Sequence, residues 1–503
     1  MSLAKRALLG FLWTTGANVG SRLLTIVSTF ILTRYLAPDV QGEVNVAVAA
    51  VMILSYAVTF GVAQFIAAHP KEGRDVAFHG AVLVIGGGLA AATVSVVFRV
   101  PITKLVNTEG AAVYMPMLAL AQLIDRLSWL PRNILVRNMQ FRLVGMRIAL
   151  GELTFAATSV LLAALEFGGH AIVYANLARS VVALGFLSMV TNVRDYLEPS
   201  RLSWITFKKI LRYGLPINHA ALLSVLATVG DNMLMARLFG AQTVGLYNQA
   251  YRIGELPGST IGDQVNDVLV PTFARLDDRE ARKRALLRAI GLMGLVVFPM
   301  AVGLGAVAKS AVAVFYAPAY AGVAPFLTVL ATMGILRSLG TLAVGYLQVV
   351  GRTMQFIWIE FVLVASILAS IALFSPFGPV ASACGVGIGF SAHTIILMSR
   401  LKSEGISLLE IGSAALGPFL ACFPMAASVL GIRLVLEPLG TPSIVLLLIE
   451  ILVGGVAFVV SAFIVSKKAA HDFLDLAKGI VARRRGKKKP DSDPPPPSQS
   501  EIP

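Results

Sequence analysis

Polar and ionisable residues recur at helical spacing inside two long apolar segments of this sequence. Steps of three or four residues keep side chains on one face of a helix. The first stripe consists of Thr14, Asn18, Arg22, Thr25 and Thr29. The second stripe consists of Asn248, Arg252, Glu255, Ser259, Asp263 and Asp267. Because charged side chains are costly to bury in apolar surroundings, we expect both stripes to face a polar cavity or a partner.

Arg22 is the residue of these stripes best suited to hold an anion. It has no acidic residue one helical turn away, whereas Arg252 could simply pair with Glu255. Hydroxyl groups in such stripes often bond to their own helix, so a structural role is the alternative for single residues. The candidate binding residues are Asn18, Arg22, Asp231, Asn248, Arg252 and Glu255. Structural ion pairs are expected for four other charges inside apolar segments: Glu152, Arg179, Arg337 and Glu360.

The sequence carries no pattern typical of a metal site or of an enzymatic centre. The six histidines are scattered, and both cysteines, Cys384 and Cys422, lie inside apolar segments, where they are expected to pack as small residues. Zinc-protease, phosphate-loop and serine-hydrolase motifs do not occur in the context that they need. We therefore expect no metal, no bound cofactor and no enzymatic activity.

The composition is typical of a membrane protein. Hydrophobic residues make up 56% of the 503 residues and charged residues only 14%, whereas a soluble domain carries about 25% charged residues. Mean hydropathy is +0.78. Blocks of roughly 20 apolar residues can cross a bilayer as helices. There are fourteen such blocks: 8–33, 41–68, 77–98, 112–130, 146–166, 168–190, 208–236, 242–270, 286–307, 320–345, 355–375, 378–399, 408–432 and 441–466. We predict an all-α polytopic membrane protein with about fourteen transmembrane helices.

Basic residues are divided unevenly between the two sides of this arrangement. With the N-terminus in the cytoplasm, the cytoplasmic loops and termini hold 32 Lys and Arg residues and the opposite loops hold 6. Cytoplasmic loops of membrane proteins carry such an excess. We therefore expect both termini in the cytoplasm. The same signal accounts for the net charge of +15, so a nucleic-acid partner is not expected.

The sequence repeats itself at an offset of 203 residues. Arg, Gly, Asn and Ala occupy matched positions in 34–47 and 237–250, and the basic pairs at 5–6 and 208–209 match as well. Internal repeats are common in transporters, with the substrate path between them. We predict two pseudo-symmetric six-helix lobes, related by an axis along the membrane normal, and two additional C-terminal helices. The predicted boundaries are 1–190 and 208–399 for the lobes, 191–207 for a cytoplasmic linker, 400–466 for helices 13 and 14, and 467–503 for a tail.

The tail differs in composition from the rest of the chain. A short helix lying on the membrane is expected over 470–482, followed by the basic run 483–489, which would meet anionic headgroups. The alternative is that this basic run only anchors the orientation of the chain. The proline-rich residues from Pro494 onward have the composition of a disordered segment.

Several stretches resemble the Wzx-type polysaccharide and O-antigen flippases, which belong to the superfamily of multidrug, oligosaccharidyl-lipid and polysaccharide exporters. The resemblance is carried by Lys5–Thr14, Arg34–Gly42, Gly245–Arg252 and the Val-Pro-Thr-Phe stretch that begins at Val270. It covers about residues 1–430. It implies a V-shaped, two-lobed helical bundle lined chiefly by helices 1, 2, 7 and 8, in agreement with the polar stripes.

The resemblance also implies a cargo and a location. The cargo is an oligosaccharide repeat unit on undecaprenyl pyrophosphate, moved by alternating access from the cytoplasmic to the periplasmic leaflet of a bacterial inner membrane. Arg22 and Arg252 would then bind the pyrophosphate through charge-assisted hydrogen bonds, and helices 13 and 14 would lie where lipid II flippases hold a lipid tail. Expected partners are the lipid-linked oligosaccharide, membrane lipids, a polysaccharide polymerase and a chain-length regulator. A proton or sodium gradient is the expected energy source.

Two other functions stay open from the sequence. A MATE-like antiporter for drugs or cations would carry acidic, cation-binding pockets, against which the cationic Arg22 and the additional helices 13 and 14 argue. A membrane glycosyltransferase or polymerase of polysaccharide assembly usually has a large periplasmic loop or an acidic cytoplasmic domain. Every predicted periplasmic loop of this chain is short.

Overall fold

The chain is helical throughout the part that the computed structural model describes. This part comprises residues 16, 20–69, 74–138, 140–192, 198–276, 278–351, 356–467, 469–475 and 478. No β-strand occurs among these residues. The all-α architecture predicted from the apolar blocks is therefore confirmed.

The described helices of the first half run from a short apolar helix to the end of the sixth predicted span. They are α1 (Gly20–Leu32), α2 (Pro38–Ala57), α3 (Val62–Ala68), α4 (Arg74–Val97), α5 (Arg99–Leu105), α6 (Met115–Leu127), α7 (Trp129–Arg137), α8 (Phe141–Ala164) and α9 (His170–Val190). A 3-10 turn, Glu109–Val113, precedes α6. Pro38 begins α2 without loss of a hydrogen bond, because the first N–H groups of a helix have no partner within it.

The second half begins with one long helix that contains a kink. Its helices are α10 (Trp204–Gly254), α11 (Leu256–Ala274), α12 (Arg279–Ala306), α13 (Ala308–Phe315), α14 (Val323–Ala331), α15 (Met333–Val349), α16 (Phe356–Phe374) and α17 (Pro379–Arg400). Two further helices follow, α18 (Leu408–Leu436) and α19 (Ser443–Val465). Gly240 has a φ of 82° and divides α10 into two limbs. A glycine adopts this left-handed conformation at little cost, which a side chain would not.

The order of helices is the same in the two halves. Helices α1 to α9 correspond one by one to the two limbs of α10 and then to α11 to α17. A short helix followed by a 3-10 turn occurs at the same place in each half, at Glu109–Val113 and at Pro318–Tyr320. Helix breaks recur too: Ser128 separates α6 from α7, and Thr332, 204 residues later, separates α14 from α15. The repeat of sequence is thus also a repeat of structure.

The helices account for the predicted membrane spans. Eleven helical stretches of the described chain are long and apolar enough to cross a membrane. One of them, Trp204–Ala274, contains two of the predicted spans. The shorter helix Gly20–Leu32 lies in the first predicted span, and α6 together with α7 covers the fourth predicted span. The protein is a multi-pass membrane protein with about fourteen spans.

The two halves meet closely at one end, which we call the turn end because the turn 33–37 and the kink at Gly240 lie there. A Cβ atom on Gly42 would overlap the carbonyl oxygen of Ala241. A Cβ atom on Gly245 would overlap the carbonyl oxygen of Pro38. Because both residues are glycines, the backbones of α2 and of the second limb of α10 can touch. This contact closes the turn end.

The opposite end, called the linker end because residues 198–203 lie beside it, is closed as well. A Cβ atom on Gly214 of α10 would overlap the carbonyl oxygen of Phe60, in the break between α2 and α3. The side-chain amide of Asn218 donates to the Ala57 carbonyl at 3.1 Å. The halves therefore touch at both ends.

Loops that the charge pattern assigns to the same side of the membrane contact each other. At the turn end, the Tyr320 hydroxyl donates to the Leu36 carbonyl at 2.8 Å. At the linker end, Arg279 donates from Nε to the Glu404 carbonyl at 2.8 Å. Both contacts join residues more than 120 positions apart, so they are consistent with the predicted alternation of spans.

Helices α18 and α19 pack on α12 and α13 of the second half. Arg433 of α18 binds Glu450 of α19 at 2.7 Å and donates to the Ala306 carbonyl of α12 at 2.5 Å. Glu450 is fully buried, whereas Leu409 and Leu434 are 84% and 78% exposed. Such exposed leucines are expected where lipid and not water covers the surface.

The beginning of the predicted tail helix is described and the rest is not. Residues 469–475 and 478 are helical. Arg288 of α12 binds Asp472 at 3.1 Å, which ties this helix to the second half. The basic run 483–489 and the prolines 494–497 lie outside the described residues.

Candidate anion-binding site between the halves

Arginines from three helices converge where the two halves face each other. Arg22 of α1 donates from Nη1 to the Ser259 hydroxyl of α11 at 3.2 Å, which bridges the halves. Arg252 of α10 lies close enough to Arg179 of α9 and to Glu152 of α8 to interact with both charges. We call these three arginines and Glu152 the arginine cluster; Arg22 is connected to the other members through Thr25, its neighbour on α1, which donates to Glu152.

Glu152 connects the cluster on the side of the first half. Its Oε1 lies 3.4 Å from Nη1 of Arg179. Its Oε2 accepts a 3.2 Å hydrogen bond from Thr25, which lies three residues after Arg22 on α1. Arg179 also donates to Asn176 at 2.8 Å. These bonds hold the guanidinium groups in place. Positioned guanidinium groups are suited to bind carboxylate or phosphate oxygens.

The side chain of Arg252 is exposed, although Tyr316, Glu152 and Arg179 lie close to it. Tyr316, just after α13, interacts electrostatically with Arg252, and its ring meets that of Phe30 edge-on with centroids 5.1 Å apart. Phe30 lies about two helical turns nearer the turn end than Arg22. The two rings therefore lie between the cluster and the turn end.

A cavity of about 260 Å³ adjoins the cluster within the first half. Arg179 is part of the cluster and also lines this cavity. Trp129 and Tyr56 form an aromatic wall with ring centroids 5.8 Å apart, and Gln122 and Asp125 add polar groups. An apolar lining with a few convergent polar groups is typical of a small-molecule site.

Glu255 does not pair with Arg252, which the sequence had left open. Its Oε1 lies 2.6 Å from Nη1 of Arg337 on α15. Arg179 and Arg337, two of the charges for which structural ion pairs were expected, pair with Glu152 and with Glu255, respectively. The pairing of Glu255 within the second half leaves Arg252 to the cluster.

Asp231 holds the two limbs of α10 together. It is 1% exposed, accepts a hydrogen bond from the Tyr247 hydroxyl and accepts another from the backbone N–H of Asn232 at 2.8 Å. Asp231 precedes the kink at Gly240 and Tyr247 follows it. The Asp231 carboxyl group is therefore buried in the structure and not exposed between the halves. Its role in substrate binding stays a prediction.

The other candidates occupy different places. Asn248 is half-buried on the second limb of α10, and no described residue forms a hydrogen bond with its side chain. Asn18 lies outside the described residues, as do the side chains of Asp263 and Asp267. The structure thus connects Arg22 to Glu152 through Thr25 and places Arg252 near the same carboxylate. Glu255 and Asp231 belong to networks of the second half.

The sequence did not single out Arg179, Glu152 or the aromatic wall at Trp129 as parts of the site. The sequence signal that could have identified the pair is that two consecutive apolar spans carry opposite charges, Glu152 in one and Arg179 in the next. Their facing could not be derived, because the repeat does not match these positions with charged residues in the second half. No three His, Cys, Asp or Glu side chains within the described chain could hold a metal ion.

Comparison with known proteins agrees with this architecture. The family model described as polysaccharide biosynthesis protein matches residues 31–325. The chain is 26% identical to the succinoglycan biosynthesis transport protein ExoT of Rhizobium meliloti (strain 1021), over 93% of this chain and 94% of that protein. It is 22% identical to the lipopolysaccharide biosynthesis protein WzxC of Escherichia coli (strain K12), over 79% and 80% of the two chains.

Solved structures share the fold at low sequence identity. The lipid II flippase MurJ in an inward closed conformation matches with a TM-score of 0.74 and 14% identity, over 91% of this chain and 99% of that one. An inward-facing MATE transporter of the MOP superfamily matches with a TM-score of 0.62 and 19% identity, over 77% and 96%. The resemblance to Wzx-type flippases is therefore confirmed. The repeated helices, the arginine cluster and a family match across more than half of the sequence lead to one assignment: the chain belongs to the polysaccharide biosynthesis protein family, within the exporter superfamily of these flippases.

Proposed function

We propose that this protein is a flippase that moves a lipid-linked oligosaccharide across the membrane for polysaccharide assembly. The observation that carries the proposal is the arginine cluster of Arg22, Arg179 and Arg252 between the halves. A pyrophosphate that joins sugar to lipid is a multivalent anion, and guanidinium groups bind such oxygens through paired, charge-assisted hydrogen bonds. The names of the relatives, one a succinoglycan transport protein, support the same function.

The sugar of the cargo has a place beside its pyrophosphate. The 260 Å³ cavity that shares Arg179 with the cluster is large enough for one sugar ring and carries two aromatic rings, Trp129 and Tyr56. The C–H face of a sugar packs against an aromatic ring, whose face is electron-rich. The amide of Gln122 and the carboxylate of Asp125 can bind hydroxyl groups. The rest of the oligosaccharide would extend into the central space.

The transport cycle is alternating access between two lobes. The contacts at Gly42–Gly245 and Gly61–Gly214 close the two ends in the present state. Opening one contact at a time would expose the arginine cluster to one leaflet and then to the other. The lipid tail stays in the bilayer throughout, beside α18 and α19, whose outer faces are apolar and exposed.

A drug or cation antiporter is the main alternative, because MATE transporters share this fold. Arg179 and Arg252 lie beside the single carboxylate of Glu152, so this part of the cluster would repel a cationic substrate. The cluster thus favours an anionic cargo. Deletion of the gene should abolish surface polysaccharide and leave resistance to cationic drugs unchanged; the reverse pattern would favour the antiporter.

The proposed location is a bacterial inner membrane, with both termini and the linker end in the cytoplasm. The charge bias of 32 to 6 supports this orientation, and transport then runs from the cytoplasmic to the periplasmic leaflet. Reporter fusions after Lys489 and within 99–111 test it. A periplasmic signal after Lys489 would reverse the orientation. A polysaccharide polymerase and a chain-length regulator would act on the delivered repeat unit.

A proton or sodium gradient is the proposed energy source. The second half contains acidic groups within the membrane region that the arginine cluster does not use, in particular Asp231, Glu255 and Glu360. His393 of α17 lies 3.9 Å from Glu360 of α16. Intramembrane ionisable groups commonly carry ions or protons. Transport by the purified protein in liposomes, with either gradient imposed alone, distinguishes the two.

Substitution of the arginines tests the function directly. Arg22→Ala and Arg252→Ala should stop polysaccharide export and accumulate lipid-linked oligosaccharide, while the protein still inserts. Loss of a charged hydrogen bond lowers affinity about tenfold to hundredfold. Arg284→Ala is a matched control, since Arg284 is exposed at the linker end. Wild-type export by both cluster variants would make these arginines structural.

The sugar cavity needs a separate test. Trp129→Ala and Gln122→Ala should weaken binding of undecaprenyl pyrophosphate that carries a sugar, and should leave binding of undecaprenyl pyrophosphate alone unchanged. Arg179→Ala should weaken both, because Arg179 lies in the cluster and in the cavity. Equal losses for both lipids in Trp129→Ala would assign the cavity a purely structural role.

A further inference from the structure

A groove of about 460 Å³ opens at the linker end. One wall comes from α3 and the other from the first turns of α10. The basic residues of its lining are Lys208, Lys209 and Arg212, and all three are exposed. No acidic residue occurs among the described residues that line it. The described lining of the groove is therefore basic.

The wall from α3 is aromatic, and Tyr213 of α10 packs against it. Phe65 stacks on His69 with ring centroids 4.3 Å apart, and Tyr213 meets both rings edge-on at 5.4 Å and 5.1 Å. The ammonium group of Lys209 lies 5.9 Å from the centroid of the Phe65 ring, a distance at which cation and ring attract. These contacts position the Lys209 ammonium group and shape the groove.

The groove lies at the level of lipid headgroups. Leu202, Trp204 and Ile205, at the start of α10, are 65%, 73% and 81% exposed. Apolar and aromatic side chains exposed beside a membrane-spanning helix are typical of the interface between lipid and water. Lys208 and Arg212 follow within two turns. A ligand in the groove would thus come from the membrane surface.

The groove also spans the contact that closes the linker end. Its aromatic wall follows Gly61 on α3, and its basic wall precedes Gly214 on α10, and these two glycines pack against each other. Thr59 hydrogen-bonds Asn218 across the same contact. A ligand that touches both walls can bind fully only while these halves are together. It must therefore favour the closed linker end.

We infer that this groove binds the phosphate headgroup of an anionic lipid and that binding stabilises the closed linker end. Paired basic side chains bind phosphate oxygens through charge-assisted hydrogen bonds, and each adds to the attraction of an anionic membrane surface. The inference does not depend on the proposed cargo. The phosphate belongs either to a bulk phospholipid or to an undecaprenyl pyrophosphate waiting outside the closed halves, and the experiment separates these sources.

The test compares lipids and variants on the full-length protein in neutral detergent, by native mass spectrometry. Phosphatidylglycerol, phosphatidylcholine with the same acyl chains and undecaprenyl pyrophosphate are titrated separately. Lys208→Gln/Arg212→Gln should bind the anionic lipid about tenfold to thirtyfold more weakly than the wild type. Arg400→Gln/Lys402→Gln, which removes two exposed charges at the same end outside the groove, should bind like the wild type. If both double variants lose the same affinity for anionic lipid, diffuse surface charge accounts for the binding, and the proposed site in the groove is wrong.

A second measurement reports on closure. Spin labels at the exposed residues Gln64 of α3 and His219 of α10, in a protein with Cys384 and Cys422 replaced by serine, give the distance across the linker end. Anionic lipid should shorten this distance in the wild type and not in Lys208→Gln/Arg212→Gln. An effect of phosphatidylglycerol identifies a bulk phospholipid, and an effect of undecaprenyl pyrophosphate alone identifies the carrier. If neither lipid changes the distance, the groove does not control closure.

Discussion

Gly42 and Gly245 occupy equivalent positions in the two halves, 203 residues apart, and each packs on the backbone at the start of the other half's helix. The residues they meet, Ala241 and Pro38, are themselves separated by the same offset. The contact is therefore reciprocal, as in a symmetric dimer, although it lies within one chain. A contact built from backbone atoms closes tightly, yet separates without leaving large apolar side chains exposed. It is suited to a gate.

Substitution of either glycine should open the turn end. A methyl group at Gly42 or Gly245 has no space, because it would overlap a carbonyl oxygen that belongs to a helix. Overpacking costs about 1–3 kcal/mol, which would shift the population about fivefold to hundredfold toward the open turn end. Spin labels at Tyr35 and Leu238, another exposed pair at the same offset, measure the change in Gly42→Ala and Gly245→Ala.

Gly86→Ala is the control for that measurement. Gly86 lies in α4, and a Cβ atom there would meet nothing within 4 Å. Its distance distribution should match that of the wild type. Unchanged distances in Gly42→Ala and Gly245→Ala would show that the turn end is not held shut by this contact.

Gly214→Ala should have the opposite effect and open the linker end. Gly214 lies inside α10, and a Cβ atom there would overlap the Phe60 carbonyl oxygen. Labels at Gln64 and His219 should move apart, while labels at Tyr35 and Leu238 stay close. Simultaneous widening at both ends would contradict a mechanism in which one end opens at a time.

Crosslinking the turn end should stop transport. In a variant that lacks Cys384 and Cys422, cysteines at positions 35 and 238 are joined by a thiol-reactive crosslinker with a cleavable disulfide. Because the turn end must open to release cargo in the proposed cycle, crosslinked protein should deliver no lipid-linked oligosaccharide, and cleavage should restore delivery. Undiminished transport by the crosslinked protein would favour a static path.

The buried pair Arg433–Glu450 should determine how firmly α18 and α19 are attached. Arg433→Met leaves the fully buried Glu450 carboxylate without its partner and should cost about 3–5 kcal/mol. The double variant Arg433→Met/Glu450→Met should regain most of this stability, because no uncompensated charge remains. Thermal unfolding in detergent measures both. A single variant as stable as the wild type would mean that apolar packing alone attaches these helices.

Much of the architecture is determined by the sequence itself. Apolar blocks of membrane length can only be helices, because a bilayer offers no hydrogen-bond partner to the backbone. All fourteen predicted blocks contain helix where they are described. The offset of 203 residues predicted the repeat, and the matched glycines at Gly42 and Gly245 prove to be its contact. Helical spacing also placed Arg22 and Arg252 on polar helix faces, and their role in binding substrate stays a prediction.

Only the tertiary structure determines which acidic residue each arginine pairs with. Spacing gives the face of a helix that a side chain occupies, but not which helix lies opposite. Arg252 and Glu255 are near in sequence, yet the break at the start of α11 and the position of α15 give Glu255 to Arg337. Arg179 joined the cluster because α9 packs against α8, which carries Glu152. Such pairings depend on how helices far apart in sequence pack, and local periodicity carries no information about that packing.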